Sequence, residues 1–195
     1  KDDRVSYEDI QLIEDTACYI SRVSEAQGEP QKICRYSLTD RELTQVSIRW
    51  PLEERNLEIC SFAFNSDYSV WLIVNAYSAD YSQMKRYLCR FDSEGKNMLA
   101  QDISQEMGRG SDVGDMAVDG QGRIYVFTSE YAEAGEAGIW LYTEEGSYQT
   151  KVSFGISEIV RVIGTADGEN GRLCIWISEG ESPDHCVMLE VDFEG

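Results

Sequence analysis

A pattern of strands and turns recurs about every fifty residues along this chain, and a repeat of that length limits the possible folds. The clearest copy covers 115–127, where apolar residues flank Asp119-Gly-Gln-Gly122, and continues over 138–146. Each copy predicts a strand, a polar turn, an aromatic-rich strand, a long loop and a third strand. Such short strands in regular repeats are typical of β-propellers. The sequence therefore predicts an all-β fold, a β-propeller of about four blades of antiparallel strands.

Two sets of equivalent positions support the repeat, because each recurs at about fifty residues. In the second strand of the copies the equivalent residues are Cys18, Trp71, Tyr125 and Cys174. In the third strand they are Cys34, Cys89, Trp140 and Leu189.

The repeats divide a single domain, 1–195, into blades of about 8–50, 57–104, 113–155 and 157–195. The first three contain four candidate strands each; the last contains only three, near 159–165, 172–178 and 186–192. A missing outer strand leaves an exposed edge, which residues 3–7 could fill. Two architectures stay open: a closed ring of four blades, or part of a larger propeller. The chain begins with Lys1 and not with Met, which favours a processed or trimmed chain.

Composition and charge limit the partners. The 195 residues are 42% hydrophobic and 11% aromatic, which excludes a disordered acidic tail. No run of eighteen apolar residues occurs, so we expect no transmembrane segment. A formal net charge of −19 would repel a phosphate backbone, so nucleic acid is not an expected partner.

Acidic residues near turns raise the question of a calcium site. Asp112, Asp115, Asp119 and the stretch 167–171 offer oxygen ligands, but a twelve-residue loop with a terminal Glu does not occur. We favour hairpin turns that need a positive φ for both Asp119-Gly-Gln-Gly122 and 167–171. We expect no metal and no cofactor.

Six cysteines occur without a CxxC pair and with a single histidine, which disfavours a zinc site. If the long loops are centred near Ala26 and Gly180, Cys18 faces Cys34 and Cys174 faces Cys186 across their hairpins. These pairs would form cross-strand disulfides in an exported protein. In the alternative, all six are reduced and serve as small core residues.

The stretches 116–126 and 138–146 resemble the repeats of bacterial propellers of the NHL and gluconolactonase-like type, and 62–71 is a weaker copy. That resemblance implies a propeller fold. It also implies a range of roles, because these families include scaffolds, ligand binders and a metal-dependent lactonase branch. The resemblance assigns no catalytic residue here.

Loops tend to carry function, and in a propeller the loops between second and third strands share one face with those between blades. Aromatic, acidic and basic side chains in these loops suit a sugar or a peptide. Within the strands, Trp71, Trp140 and Trp176 are expected to serve packing. The candidate ligand-binding residues are Trp50, Tyr77, Asp80, Tyr81, Arg109, Asp112, Tyr131 and His185.

The sequence favours a non-catalytic ligand-binding or scaffold propeller of an exported bacterial protein, extracellular or at the cell surface, for example a lipoprotein concerned with solute capture. The expected partner is a small molecule, a sugar, a peptide or another protein. One alternative is a metal-dependent hydrolase of the lactonase-like type. Another is an assembly module that dimerises through an exposed blade edge.

Overall fold

The structure is a computed structural model that describes residues 10–21, 31–54, 56–107, 111–130, 137–153, 159–167, 172–179 and 186–191. In these residues fifteen strands form four antiparallel sheets, and the helix α1 (Ser104–Met107) has only 4 residues. The expectation of an all-β chain of antiparallel strands is confirmed.

The strands of each sheet are consecutive in the chain and hydrogen-bond in chain order. The first sheet contains β1 (Gln11–Ile13), β2 (Thr16–Ser21), β3 (Lys32–Ser37) and β4 (Leu43–Ser47). The second contains β5 (Asn56–Phe64), β6 (Val70–Tyr77), β7 (Met84–Phe91) and β8 (Asn97–Asp102). The third contains β9 (Ser111–Val118), β10 (Ile124–Glu130), β11 (Gly138–Tyr142) and β12 (Tyr148–Ser153). The fourth contains β13 (Ile159–Asp167), β14 (Arg172–Glu179) and β15 (Cys186–Val191).

The last sheet has three strands among the described residues, as the sequence predicts. Residues 3–7, which could add a fourth, lie outside the described part of the chain. The helix α1 was not predicted, because a single helical turn is too short to show a helical apolar period.

Strand β6 is buried on both faces, because its successive side chains point to opposite sides of the sheet. Val70, Leu72 and Val74 belong to a core cluster shared with the first sheet. Trp71 and Ile73 belong to a second cluster, which is shared with the third sheet. The second sheet is therefore packed between the first and the third.

The first strands of successive sheets lie beside one another. Strand β9 contacts both β5 and β13. The side-chain amide of Gln11 connects β1 to β5 by two hydrogen bonds. Its Oε1 accepts from the Phe64 N–H at 2.7 Å, and its Nε2 donates to the Phe62 carbonyl at 3.4 Å. The edge strands β5, β9 and β13 therefore lie side by side where successive sheets meet, and they are called the inner strands below.

The inner strands β5, β9 and β13 each contain one extra residue in their pairing with the next strand. The extra residues are Cys60, Gly114 and Val160, and each is flanked by residues that pair in a shifted register. A β-bulge of this kind bends the strand and redirects its side chains.

A repeated turn closes the hairpins at the opposite strand ends. In Asp92–Gly95, Asp119–Gly122 and Thr143–Gly146 the fourth residue donates its N–H to the carbonyl of the first. The Asp119 Oδ1 accepts two backbone N–H bonds, and its Oδ2 accepts from Arg123 at 2.7 Å and Tyr125 at 2.8 Å. With φ of 78° at Gly122, the hairpin interpretation of this stretch is confirmed. For the stretch 167–171, only Asp167 lies in the described part.

The predicted pairing of Cys18 with Cys34 is wrong, because the hairpin register differs by one residue. Cys18 faces Arg35 and Cys34 faces Tyr19, so the two thiols point to opposite sides of the sheet. Both are free and buried, and burial raises the pKa of Cys18 to about 11. The alternative of reduced core cysteines holds for both.

The predicted pairing of Cys174 with Cys186 also fails at the level of the backbone. Strand β14 places Cys174 opposite Glu190, whereas Cys186 lies opposite Ser178. The two cysteines are therefore four residues out of register along the hairpin, too far for the cross-strand geometry of a disulfide.

Candidate functional site

A cleft of about 430 Å³ opens at the end of the second sheet where β6 passes into β7. Its walls come from the start of the inner strand β5 and from the loop between β6 and β7. The lining residues are Asn56, Leu57, Glu58, Tyr77 and Tyr81. Strand β5 thus supplies a carboxylate and an amide, and the end of β6 and the loop after it supply two aromatic rings.

A chain of hydrogen bonds fixes the polar wall of this cleft. The Tyr77 hydroxyl donates to Glu58 Oε2 at 2.7 Å, and the Asn75 amide donates to the same oxygen at 3.3 Å. Asn75 Oδ1 in turn accepts from Arg86 Nε at 2.9 Å, and Arg86 also donates to the Ser111 carbonyl at 2.9 Å. Glu58, itself exposed, is therefore held by a network whose buried members, Asn75 and Arg86, reach the third sheet.

Protonation states follow from this environment. Burial and the hydrogen bond to the Glu58 carboxylate raise the pKa of Tyr77, so its hydroxyl stays protonated and donates to Glu58. Burial raises the pKa of Cys60 to about 11, although the charge of Arg86 opposes the rise. The neighbouring thiol is thus protonated near neutral pH and is a poor nucleophile.

The loop that carries Tyr81 is fixed by its own hydrogen bonds. Asp80 Oδ1 accepts from the hydroxyls of Ser78 and Ser82 at 2.7 and 2.8 Å. The Tyr81 N–H donates to the Ser78 carbonyl at 2.9 Å, and Asn56 Nδ2 donates to the same carbonyl at 3.3 Å. These hydrogen bonds hold the loop in the conformation described.

Tyr81 combines exposure with a conformation that L-residues rarely adopt. Its φ is 56°, and 65% of the residue is exposed. Its ring lies 5.7 Å from that of Tyr77 at an interplanar angle of 40°. Backbone strain of this kind occurs often at functional sites.

The structure brings together only some of the residues that the sequence predicts for the site. Tyr77, Asp80 and Tyr81 share one loop, and Asp112 on β9 is near enough to Cys60 to raise the pKa of that thiol. Trp50 lies elsewhere, with its ring packed edge-on against Phe91 at 5.2 Å. Arg109, Tyr131 and His185 lie outside the described residues.

Sequence reasoning missed Glu58, Asn56 and Asn75. All three lie on strands, and the prediction considered only loops as sources of ligand contacts. The signal that was available is the polarity of Asn75 within an otherwise apolar strand, because a buried amide requires partners.

In the described ranges no group of three or more His, Cys, Asp or Glu could hold a metal ion. Within the same ranges no helix has the length and apolar character to cross a membrane.

Comparisons with solved structures identify similar folds. Acylaminoacyl peptidase from Pyrococcus horikoshii, in its uncomplexed form, aligns with 95% of this chain and 31% of its own, at 14% identity and a TM-score of 0.55. A bifunctional GH43-CE protein from Bacteroides eggerthii aligns over 95% of this chain and 24% of its own, at 13% identity and a TM-score of 0.51. The chain thus spans less than a third of either protein.

No family model and no curated protein sequence matches the chain. At such low identity the structural likenesses show the fold alone. Together with the four antiparallel sheets, they are consistent with a fold of the β-propeller type. The resemblance to NHL and gluconolactonase-like repeats stays a prediction.

Proposed function

We propose that the chain is a non-catalytic β-propeller module that binds a sugar or a peptide at the Tyr77–Tyr81 cleft. The observation that supports this most is the exposed, strained Tyr81 beside a carboxylate fixed by hydrogen bonds. An exposed ring can stack on an apolar ligand face while Glu58 accepts hydrogen bonds from hydroxyl or amide groups. Both interactions are available without movement of the loop.

The charge of the site favours the same class of ligand. Glu58 faces the cleft, and its Oε1 accepts no hydrogen bond from the described residues, whereas Oε2 accepts two. An acidic acceptor on a chain of net charge −19 favours neutral or cationic ligands. Neutral sugars and peptides with free N–H groups meet this condition.

The architecture that we propose has the four sheets as blades around one axis, lined by β1, β5, β9 and β13. The adjacency of the inner strands supports it. The blades would form a closed ring or part of a larger propeller in an exported, cell-surface protein. A lipoprotein concerned with solute capture is one form of this proposal.

Binding is tested by thermal shift and calorimetry with neutral mono- and disaccharides and short peptides, first in EDTA and then with calcium. We expect a saturable ligand whose affinity does not depend on metal, since a ligand that binds only the folded state raises its melting temperature. Loss of stability in EDTA that calcium restores would contradict the proposal and favour the metal-dependent hydrolase.

Two substitutions test whether the ligand binds in the Tyr77–Tyr81 cleft. Tyr81→Ala removes the exposed ring, and Tyr77→Phe removes the hydroxyl that donates to Glu58. We expect Tyr81→Ala to weaken binding by about tenfold or more, which corresponds to about 1.4 kcal/mol. The matched control is Tyr148→Ala, which removes another exposed tyrosine from the outer strand β12. Equal affinities for the Tyr81 and Tyr148 variants would exclude this cleft as the site.

A further inference from the structure

A second cleft, of about 450 Å³, lies at the other end of the second sheet, where its turns meet those of the third. Strand β6 separates the two clefts, since it begins at Val70 near the second and ends at Tyr77 in the first. The side chains that matter for its chemistry are those of Asp67, Trp71, Arg90, Asp119 and Glu144. It shares no lining residue with the Tyr77–Tyr81 cleft.

The cationic side chain in this cleft is that of Arg90, and this side chain forms no hydrogen bond with another described residue. Arg90 lies opposite Trp71 in the sheet, with its guanidinium carbon 5.3 Å from the centre of the indole. The Arg90 Nε is buried and has no hydrogen-bond partner among the described residues. Because this Nε has almost no accessible surface, a ligand in the cleft would reach the guanidinium at its terminal nitrogens, for which no hydrogen bond to a described residue is formed.

The carboxylates near Arg90 do not act as its hydrogen-bond acceptors. Asp119 is occupied by its turn, by Arg123 and by Tyr125. Asp67 Oδ1 accepts the Ser69 N–H at 2.9 Å. Partial burial acts against ionisation of Asp67, but its bonds to Ser69 and the charge of Arg90 hold its pKa below the ordinary value. Asp67 therefore stays ionised near neutral pH.

The rim carries more negative than positive charge. Glu144 is exposed, and its side chain lies against Gly122, where an added Cβ would come within 2.9 Å of it. Asp67 and Glu144 thus border a cleft whose lining also includes the Arg90 guanidinium. A simple anion would meet both carboxylates, and a simple cation would leave the Arg90 guanidinium without an acceptor.

We propose that this second cleft binds a free α-amino acid as its zwitterion. The carboxylate accepts from Arg90, a charge-assisted bond that suits the planar guanidinium, and the ammonium group lies among Asp67 and Glu144. The volume is within the range of small-molecule sites. A sugar fits less well, because Arg90 covers the face of Trp71 and the second aromatic lining residue, Phe64, is buried.

The test is an NMR titration of the whole chain that follows the indole N–H signals of its four tryptophans. The probes are L-alanine and L-leucine, compared with N-acetyl-L-alanine, which lacks the ammonium group, and L-alaninamide, which lacks the carboxylate. D-Glucose tests the sugar alternative. We expect saturable shifts at Trp71 with an amino acid, and at least tenfold weaker binding of both blocked compounds.

Two pairs of variants sharpen the test. Arg90→Gln should weaken amino acid binding at least tenfold, whereas Lys151→Gln, which removes the cation over Trp140 and changes no lining residue of this cleft, should leave it unchanged. If Arg90→Gln does not fold, Glu144→Gln serves in its place, because Glu144 is exposed; its control is the exposed turn residue Glu94→Gln. Glu144→Gln should weaken binding severalfold, and Glu94→Gln should not.

Several results would overturn the proposal. They are the absence of saturable shifts with both amino acids at millimolar concentrations, binding of N-acetyl-L-alanine as tight as that of L-alanine, or equal effects within each pair of variants. Saturable binding of D-glucose at Trp71 without any amino acid response would also overturn it. None of these results depends on a ligand in the Tyr77–Tyr81 cleft.

Discussion

Tyr68 and Tyr81 occupy the same position in two turns at opposite ends of strand β6, yet their side chains have different surroundings. Their φ angles are 62° and 56°, and each donates its N–H to the carbonyl three residues earlier. Tyr68 packs against the core cluster between the first two sheets, and Arg35 lies 5.6 Å from its ring centre. Tyr81 is 65% exposed and contacts Tyr77.

This difference separates a structural from a functional use of a strained residue. An L-residue in the left-handed region costs about 1–2 kcal/mol, and glycine would avoid that cost. Packing offsets it at Tyr68. At Tyr81 the single ring contact with Tyr77 offers little compensation, so we infer that its side chain is kept for contact with a partner outside the chain.

Gly95 occupies the equivalent position of the turn between β7 and β8, and there we expect the largest effect. An added Cβ would lie 2.3 Å from the Ser47 carbonyl oxygen, at a φ of 73°. Gly95→Ala should therefore reduce the free energy of unfolding by about 2–4 kcal/mol, from strain and from displacement of backbone. Chemical denaturation measures this. Glu94→Ala, the control in the same turn, should change it by less than about 0.5 kcal/mol.

Tyr68→Gly should have an intermediate effect. The substitution relieves the positive φ but removes a half-buried ring from the first core cluster. Because loss of a fully buried aromatic side chain costs about 3–5 kcal/mol, we expect a net loss of about 1–2 kcal/mol. Urea denaturation gives the value. An unchanged or raised stability would remove the contrast with Tyr81.

Tyr81→Gly should leave stability within about 1 kcal/mol of the wild type, and the change should be upward, because strain is relieved and little packing is lost. The same variant should bind the cleft ligand at least tenfold more weakly. Denaturation and calorimetry on one preparation test both statements. A loss of stability as large as that of Tyr68→Gly would mean that Tyr81 has a structural role.

The strands could be predicted from the sequence because alternating apolar residues and turn residues are local signals. The three strands found in 159–191 match the prediction closely, and the Asp119 turn follows from its own residues. The pairing register between two strands, in contrast, is not set by local residues alone. The predicted register of the hairpin after β2 is wrong by one residue, and in the observed register Cys34 lies on the opposite face of the sheet from Cys18.

The candidate site could be predicted only in part for a related reason. Tyr77 and Tyr81 are visible in the sequence as loop aromatics, but Glu58 reaches them from a strand that begins about twenty residues earlier. The bulge at Cys60, two residues further along β5, leaves no clear trace in the composition. Trp50 shows the opposite error, since a loop aromatic can pack against the core.

Protonation of Asp80 at low pH should change stability less than any of these substitutions. It tests the hydrogen bonds that hold the loop around Tyr81. Hydrogen bonds from Ser78 and then Ser82 lower the pKa of Asp80 to about 2. A carboxyl with a lowered folded-state pKa stabilises the fold fully above its unfolded value of about 3.9, and this contribution is lost as the pH falls toward about 2. The loop should therefore keep its hydrogen bonds at pH values where ordinary aspartates are half protonated.

An NMR titration of the Asp80 carboxyl carbon measures this directly, with Asp80→Asn to assign the signal. We expect a midpoint near 2, with the Ser82 amide signal changing over the same pH range, since its N–H donates to Asp80. A midpoint near the ordinary value of about 3.9 would show that these bonds do not order the loop. Tyr81 would then lack the local support that replaces packing, and its positive φ would depend on contacts in the cleft itself.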